Sequence, residues 1–317
     1  MVAEIPTIVV VGAGAIGGLF GALLTEGGLE VTLIDPWIEH VAAISRNGLR
    51  VIGHGGDRIV PIKATLNARD VTTGDVVLFA CKATANVAAA RAVGHLFGGS
   101  AVAVSFQNGL GNEEVLAKEL GTSCILGGLT AQGAVVEAPG VIRNYGSFPS
   151  LIGEMNGGLS ERATRIAAQF TRHNLSTVAS PDIAHDKWRK LLRNIGFGPL
   201  SAATDMTALQ IMAMPELGLV VHRQIAEAVA VARACGIVLR DDEIREVLSE
   251  GSYATGAETG GRKSSMAADI AQRRPTEIDI IHGAVALLGR QHDVPTPTID
   301  ALIAVVKGIE SRYASLA

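Results

Sequence analysis

Two short apolar runs, residues 7–11 and 31–34, flank a longer stretch near the start of the chain. A run that is continuously apolar, rather than alternating with polar residues, is typical of a strand that is buried on both faces. The stretch between the two runs is predicted to be helical over about 15–26. The pattern therefore predicts a buried strand, a helix and a second buried strand in that order.

A glycine pattern, G-x-G-x-x-G, stands between the first predicted strand and the helix. Gly12 permits a tight turn, Gly14 lets the backbone approach a pyrophosphate, and Gly17 lets helix and strand pack closely. The helix N-terminus offers free N–H groups and a partial positive charge to phosphates. Asp35 ends the second strand, where an acidic residue accepts hydrogen bonds from a ribose. The sequence thus predicts a dinucleotide site with the cofactor-binding residues Gly12, Ala13, Gly14, Ala15, Ile16, Gly17 and Asp35.

Predicted strands and helices continue to alternate through the first half of the chain. Helices are predicted over 37–46, 85–96 and 159–172. Strands are predicted over 49–52, 59–64, 75–80, 101–106, 124–130, 134–137, 141–144 and 151–153, and near Thr177. This alternation implies an α/β fold whose N-terminal domain is a Rossmann-type, doubly wound parallel sheet.

The pattern changes after Ser180-Pro181-Asp182, which indicates a boundary and a helix start. Beyond it, helices are predicted around 188–194, 217–235, 241–248, 264–272 and 298–311. Thr276-Glu277-Ile278-Asp279 has the pattern of a capping box that opens another helix. The glycine-rich stretch 251–261 predicts a loop or helix break. We therefore predict a dinucleotide-binding Rossmann domain over residues 1–180 and an all-helical substrate and catalytic domain over residues 181–317.

Two polar segments follow predicted strands of the sheet, at the edge where such sheets bind ligands. Lys82 follows strand 75–80 and could meet a phosphate, a ribose or a substrate anion. Asn108, in Gln107-Asn108-Gly109, could hold a carboxamide or a substrate oxygen. Taken alone, Lys82 could equally be a solvated surface lysine, and Asn108-Gly109 a plain turn. Their shared position favours the functional interpretation of both.

Three positions of the first helix in the second half share one face. Lys190, Asn194 and Gly198 are spaced four residues apart, so they line up along the helix. The structural alternative is that Lys190 is a solvated helix charge. For Glu277 the alternative is an acid in a first helical turn, where the helix dipole favours it.

Composition agrees with a cytoplasmic enzyme. The chain has 317 residues, 48% of them hydrophobic, which suffices for two domains with a sizeable core. The net charge of -4, with no basic cluster interleaved with aromatics, argues against a nucleic-acid partner. Three widely spaced cysteines suggest reduced thiols. No metal-ligand spacing is present among the eight histidines, so no metal site is expected.

The uncharged stretch 5–25 has about the length of a membrane span. Its β-branched residues precede five glycines, however, which fits a buried strand, turn and helix better than a lipid-facing helix. No basic region or cleavage site precedes it, so a signal peptide is not expected either. We therefore expect no membrane partner.

With these residues in view, the chain resembles the ketopantoate reductases (2-dehydropantoate 2-reductases) over almost its whole length. Several of the shared segments lie far from the common dinucleotide fingerprint, so the set in this order is specific. The shared segments are GAGAIGG from Gly12, Cys81-Lys82, Gln107-Asn108-Gly109, Trp188-Arg189-Lys190-Leu191 with Asn194, Pro199-Leu200, Ser201-Ala202, Ser264-Ser265-Met266 and Arg274-Pro275-Thr276-Glu277-Ile278-Asp279.

The resemblance implies hydride transfer from a reduced nicotinamide to a 2-oxo acid, with Lys190 as the general acid. It implies that Lys82 lies near the cofactor and the substrate, and that Ser265 contacts the carboxylate side of the substrate. Asn108, Asn194 and Glu277 would hold the substrate, and we expect Asn108 to contact the cofactor as well. A homodimer is compatible with the resemblance. The implied catalytic residues are Lys190, Glu277, Asn108 and Asn194, and the implied substrate-binding residues are Lys190, Asn194, Gly198, Ser265 and Glu277.

The chain departs from the family pattern at three positions. The family usually has asparagine where this chain has Gly198, and often asparagine where this chain has His282. Members that use NADPH tend to carry arginine at the position of Asp35. A carboxylate there favours NAD(H), whose ribose has two free hydroxyls, whereas the resemblance keeps NADP(H) open.

Two alternatives remain. Gly198 and His282 keep open an oxidoreductase of the same build that acts on a different 2-oxo or 3-hydroxy acid. A dinucleotide-sensing protein without catalysis is the other, and the retention of Lys190, Asn194 and Glu277 argues against it. Cofactor oxidation on adding 2-oxo acids would separate an enzyme from a sensor.

Overall fold

The computed structural model describes residues 6–249 and 263–314, so the predicted loop or helix break at 251–261 lies outside the described residues. The chain forms two compact units. The first consists of the residues up to Gln107 together with Asn112–Ile183, and the second of Asn108–Gly111 together with the residues from Ala184 onward. A four-residue segment from the first half of the chain thus belongs to the second unit.

The first unit contains two sheets. Their strands are β1 Ile8–Val11, β2 Val31–Ile34, β3 Leu49–Gly53, β4 Arg58–Val60, β5 Lys63–Thr65, β6 Val76–Phe79, β7 Val102–Ser105, β8 Ile125–Thr130, β9 Ala134–Ala138, β10 Val141–Asn144, β11 Ser150–Gly153 and β12 Thr177–Ala179. The larger sheet has eight strands in the order β12-β11-β8-β7-β6-β1-β2-β5, and the smaller has four in the order β4-β3-β10-β9. With β2 on one side of β1 and β6 on the other, the larger sheet is doubly wound, as predicted.

The larger sheet is parallel from β5 to β8, which confirms the prediction for the part that carries the glycine loop. Two strands differ in direction, because β11 pairs antiparallel with β8 and β12 pairs parallel with β11. The chain reaches β11 through β9 and β10 without a crossover helix, and only a crossover brings a strand back parallel. The smaller sheet was not predicted.

One predicted strand, 59–64, is in fact two. β4 pairs with β3 in the smaller sheet, whereas β5 pairs with β2 in the larger one. Pro61 lies between them, and a proline interrupts a ladder because it has no N–H to donate. The prediction of a single strand is therefore wrong.

Helices cover both faces of the larger sheet. Alternate residues of β1 face opposite sides, so that Ile8 and Val10 belong to one buried cluster while Val9 and Val11 belong to another. Helix α4, Asn112–Leu120, was not predicted, although its acidic first turn and Lys118 in its last turn are a recognisable signal. The helices of this unit are α1 Ala15–Glu26, α2 Ile38–Asn47, α3 Asn86–Val93, α4 Asn112–Leu120 and α5 Glu161–Arg172.

The second half of the chain is helical, as predicted. Its helices are α6 Ile183–Thr204, α7 Ala208–Ala213, α8 Pro215–Ala234, α9 Asp241–Leu248, α10 Ser265–Ala271, α11 Ala284–Gln291 and α12 Pro297–Ala314. A π-helical segment, Asp279–Gly283, leads directly into α11. None of the helices in the described ranges is long and apolar enough to cross a bilayer.

The capping box predicted at Thr276 is wrong. The Thr276 hydroxyl accepts a hydrogen bond from the N–H of Ile278, two residues on, at 3.2 Å. Asp279, the residue that would complete the box, instead pairs with Lys307 at 2.7 Å. The helix begins with a π turn, a feature that is frequent at functional sites and has no simple signal in sequence.

Candidate active site

The glycine loop lies between β1 and α1, and its first and last glycines are required sterically. Gly12 has φ +98°, and a Cβ there would lie 2.5 Å from the backbone nitrogen of Cys81. A Cβ on Gly17 would lie 1.9 Å from the Gly12 carbonyl oxygen. Gly14 differs, because a Cβ there would meet nothing within 4 Å. The loop is therefore closed against the protein at Gly12 and Gly17 and open at Gly14.

This opening fits the pyrophosphate of a dinucleotide. Gly14 is the N-cap of α1 and has no side chain to bond the first N–H groups of the helix. Ala15 and Ile16 begin the helix at that point. Backbone N–H groups at a helix N-terminus, next to open space, are the recurring anion site of dinucleotide folds.

Asp35 is half-buried at the end of β2 and holds the glycine loop. Its Oδ2 accepts the N–H of Ala13 at 2.7 Å, and its Oδ1 accepts the N–H of Trp37 at 2.9 Å. A carboxylate oxygen accepts two hydrogen bonds, so each of the two has capacity left for a ribose hydroxyl. Two arginines, Arg46 and Arg50, follow Asp35 in the sequence. Arg50 pairs with Asp57.

Two further segments follow β6 and β7. The Gln107 amide donates to the Cys81 carbonyl at 2.7 Å and to Asn86 Oδ1 at 2.5 Å, which ties the ends of the two strands together. Burial raises the pKa of the Cys81 thiol to about 11, so it stays protonated at neutral pH. Lys82 is exposed and precedes a single 3-10 turn, Ala83–Ala85.

The second unit brings three predicted residues together. Lys190 Nζ donates to Asn108 Oδ1 at 3.0 Å. The amide nitrogen of the same Asn108 donates to Glu277 Oε2 at 3.1 Å. The amide thus accepts from a cation and donates to an anion, which is the one orientation that satisfies both ends. We call Asn108, Lys190 and Glu277 the lysine cluster.

The environment of Lys190 tunes its acidity. Desolvation by burial, together with the positive charge of Lys187 one turn away, lowers the pKa of Lys190 to about 8. The negative charge of Glu277 opposes this shift. A general acid works best when its pKa is near the operating pH, and this lysine is closer to that value than an ordinary one.

Two predicted residues form no hydrogen bond with the lysine cluster in the part of the chain that the structure describes. Asn194 is half-buried, one turn along α6 from Lys190, and makes no side-chain hydrogen bond to the described residues. Ser265 is exposed at the start of α10. The neighbouring Ser264 caps that helix, since its hydroxyl accepts the N–H of Ala267 at 3.0 Å.

Gly198, the third position on this face of α6, lies beside a buried histidine. A Cβ on Gly198 would meet Met266 Cε at 3.7 Å and His282 Cε1 at 3.8 Å, which is ordinary contact. The gap left by the missing side chain is therefore about the size of a methyl group. Met266 and His282 are both buried and form its far wall.

The histidine bonds a carbonyl in α6 that has lost its helical hydrogen bond. Pro199 lies inside the helix and has no N–H to give to the Ile195 carbonyl. His282 Nε2 lies 3.2 Å from that carbonyl oxygen and must therefore carry the proton. Nδ1 is then an acceptor, and it is buried without a partner among the described residues. Burial lowers the pKa of His282 to about 4, so the ring is neutral.

Sequence reasoning missed the roles of Gln107, Lys187 and the Pro199–His282 pair. Only the last had a usable signal, because a proline within a helix always leaves one carbonyl in need of a donor. Within the described ranges, no three histidine, cysteine, aspartate or glutamate side chains are grouped so that they could hold a metal ion.

The first unit is doubly wound, as in dinucleotide-binding proteins, and the second is helical and holds a lysine, an amide and a carboxylate in contact. This is the architecture of a dinucleotide-dependent oxidoreductase. Residues 8–157 match the family described as Ketopantoate reductase PanE/ApbA, and residues 182–310 match Ketopantoate reductase PanE/ApbA C terminal. The chain therefore belongs to the ketopantoate reductase family.

Curated relatives agree with this assignment. A 2-dehydropantoate 2-reductase from Halobacterium salinarum is 32% identical, and the match covers 95% of this chain and 97% of the relative. Another from Mesorhizobium japonicum is 31% identical, covering 95% of this chain and 96% of the relative.

Solved structures are similar over both units. D-mandelate dehydrogenase with NADH and anilino(oxo)acetate has a TM-score of 0.90 and 27% identity, covering 96% of this chain and 98% of that one. A PanE/ApbA family ketopantoate reductase from Ralstonia eutropha JMP134 has a TM-score of 0.87 and 29% identity, covering 96% and 99%. The same architecture thus serves proteins named for two different acids.

Proposed function

We propose that the protein reduces a 2-oxo acid to the 2-hydroxy acid with a reduced nicotinamide cofactor. One observation carries the proposal: Asn108 joins the Lys190 ammonium to the Glu277 carboxylate at 3.0 and 3.1 Å. The Asn108 amide thereby holds the proton donor, Lys190, in place, and the Glu277 carboxylate balances its charge. Reduction of a carbonyl needs such a donor, because its oxygen becomes alkoxide-like as hydride arrives.

Lys190 has donors left for the substrate. An ammonium has three N–H groups, and Asn108 Oδ1 is the one hydrogen-bond partner of Lys190 among the described residues. The remaining groups can point at the carbonyl oxygen, stabilise its developing charge and then transfer a proton to it.

The other residues bind and orient. When bound, the nicotinamide supplies the hydride. Asn194 and Ser265 offer polar side chains to the substrate, and Gly198 offers space. Glu277 holds Asn108 and can accept a hydrogen bond from a substrate hydroxyl. On the cofactor side the proposal assigns Gly12, Ala13, Gly14, Ala15, Ile16, Gly17, Asp35, Lys82 and Asn108.

The cofactor we propose is NADH. Asp35 would face the adenosine ribose, and a 2′-phosphate there would be repelled by about 1 kcal/mol in water, more in a partly desolvated site. The residues Pro36-Trp37-Ile38-Glu39 supply no cation to offset this repulsion. The solved D-mandelate dehydrogenase, which has NADH bound, supports the same choice.

We expect kcat/KM with NADH to exceed that with NADPH by roughly tenfold or more, about 1.4 kcal/mol. Asp35→Arg should shift the preference toward NADPH. Asp35→Asn is the matched control, because it removes the charge but keeps an acceptor for the Ala13 N–H. A wild-type preference for NADPH would contradict the proposal for Asp35 and leave the reductase proposal standing.

Two acids compete as the substrate. Family membership favours ketopantoate. A bulkier acid is favoured by the methyl-sized gap at Gly198 and by the similarity to D-mandelate dehydrogenase. The experiment is to follow cofactor oxidation with ketopantoate, other branched 2-oxo acids and phenylglyoxylate, each with NADH and with NADPH. If no acid is reduced with either cofactor, the reductase proposal is wrong.

A further inference from the structure

Trp37 is a large aromatic side chain that the proposed reaction leaves without a role. It directly precedes α2, two residues after Asp35, and it is 41% exposed. Its ring is stacked on that of His40, with centroids 4.9 Å apart and an interplanar angle of 10°. One face of the indole is therefore covered by a histidine.

His40 is completely buried and fixed at both ring nitrogens. Nδ1 accepts the N–H of Gly140 at 3.0 Å, so the proton is on Nε2, which donates to the carbonyl of Ala13 at 3.0 Å. Burial lowers the pKa of His40, which favours this neutral ring. The histidine thus holds the glycine loop at Ala13 and supports the indole on its ring face.

Residues on either side of Trp37 hold both backbone groups of Ala13. The Ala13 N–H donates to Asp35 Oδ2 at 2.7 Å, and the Ala13 carbonyl accepts from His40. The Trp37 N–H is bonded to the other oxygen of Asp35. The backbone of Trp37 is therefore bonded directly to the carboxylate that would face the adenosine ribose. This bond and the stacking on His40 fix the position of the indole before any ligand binds.

We propose that the exposed face of Trp37 is the surface on which the adenine ring of the dinucleotide stacks. The inference rests on the proposed dinucleotide site and extends it to the base. A flat, rigidly supported indole beside the ribose carboxylate matches a purine in shape, and a base stacks on an aromatic side chain through its π face. Such stacking depends on the ring and not on the indole N–H.

The test measures binding directly, using three probes that share parts of the cofactor. NADH and ADP-ribose both contain adenine, whereas reduced nicotinamide mononucleotide does not. Trp37→Ala should weaken NADH and ADP-ribose about tenfold or more, the scale of one lost base stack, and leave the mononucleotide within twofold of wild type. Trp37→Phe should recover most of the loss. Phe148→Ala, which removes an aromatic of 48% exposure in the same unit, is the matched control and should change nothing.

Fluorescence gives an independent measurement, since the chain has only two tryptophans, Trp37 and Trp188. ADP-ribose should quench wild-type emission by stacking on Trp37. In Trp37→Phe, where Trp188 remains, the quench should disappear while binding persists by calorimetry.

Two results would overturn the inference. One is an unchanged ADP-ribose affinity in Trp37→Ala, and the other is an equal loss for the mononucleotide, which would mean that the variant damages the whole loop. Failure of the proposed function looks different, because wild-type protein would then oxidise no NADH with any acid even if it bound ADP-ribose through Trp37.

Discussion

The glycine loop and the lysine cluster differ in how much of their hydrogen bonding the protein itself completes. Around the loop, both oxygens of Asp35 and both ring nitrogens of His40 already have partners in the protein. In the second unit, Lys190 keeps donors without partners among the described residues, and His282 Nδ1 is likewise unpaired there. The residues that hold the loop are therefore fixed by hydrogen bonds within the protein, whereas Lys190 keeps unused hydrogen-bonding capacity for the reacting atoms.

The difference is physically reasonable. An anchor binds best when its geometry is fixed in advance, because little entropy is then lost on binding. A catalytic group must change its bonding during the reaction, so some of its capacity has to be left for the transition state. Each prediction below alters one side of this contrast.

The largest effect is expected at Lys190. Lys190→Ala should lower kcat by about a hundredfold or more, the usual scale for a positioned acid, while cofactor affinity stays near wild type. Arg189→Ala removes an exposed cation from the neighbouring position and serves as the control. A folded Lys190→Ala protein with near-normal turnover would return Lys190 to the role of a surface charge.

The second-largest effect is expected for Glu277→Ala. Loss of one hydrogen bond to a charged group is worth roughly 1.5–3 kcal/mol, and the loss should appear in kcat/KM for the acid and not in cofactor binding. Ser265→Ala should act in the same direction. Ser264→Ala is the comparison, because it removes a helix cap and should lower the unfolding free energy by about 1 kcal/mol instead. If titration shows cofactor affinity falling as much as activity, these residues do not belong to the substrate side.

The pH profile tests the charge on Lys190. Reduction needs the protonated amine, so kcat should be level below pH 8 and fall about tenfold per unit well above it, since the pKa is about 8. Oxidation of the hydroxy acid needs the free amine and should rise through the same value.

A single substitution separates the causes of that pKa. The charge of Lys187 lowers the pKa of Lys190, so Lys187→Gln should move the alkaline limb of the profile, where kcat falls, to higher pH. Lys63→Gln, which changes an exposed lysine paired with Glu30 in the other unit, should not move it. An unshifted limb in a folded Lys187→Gln protein would leave burial as the cause.

The smallest effect is expected at Gly198. Gly198→Ala should fit and stabilise the helix by up to about 1 kcal/mol, because glycine is costly within a helix. The added methyl should reduce kcat/KM for bulky acids by a few fold. Gly198→Asn should improve the use of ketopantoate relative to Gly198→Ala, because it adds an amide donor. A wild-type protein that prefers ketopantoate to every bulkier acid would refute this account of the gap.

The sequence predicts the glycine loop and its flanking elements better than it predicts the lysine cluster, because the two sets of residues are distributed differently along the chain. The signals for β1, α1, β2 and Asp35 are contiguous, and the predicted bounds of α1 match the structure. The antiparallel β11 and the second sheet depend on contacts that a local pattern does not contain. The division of 59–64, by contrast, had a local signal in Pro61 that was not used.

The lysine cluster is written in three distant places, at positions 108, 190 and 277. Helical spacing could place Lys190, Asn194 and Gly198 on one face, but it could not show that Asn108 reaches Lys190. Only the resemblance to a family pointed to that grouping. Pro199 signals in the sequence that the Ile195 carbonyl lacks a donor, but neither approach could show that His282 supplies it.

The segment Asn108–Gly111 has a consequence for how this protein can be divided. The chain passes between the units at residues 107/108, 111/112 and 183/184. A gene cut at residue 184 would encode Lys190 and Glu277 but not the amide that joins them. Recombination could therefore exchange the helical unit between relatives only by carrying a loop of the nucleotide-binding gene segment with it, and a split protein would need that loop supplied in trans.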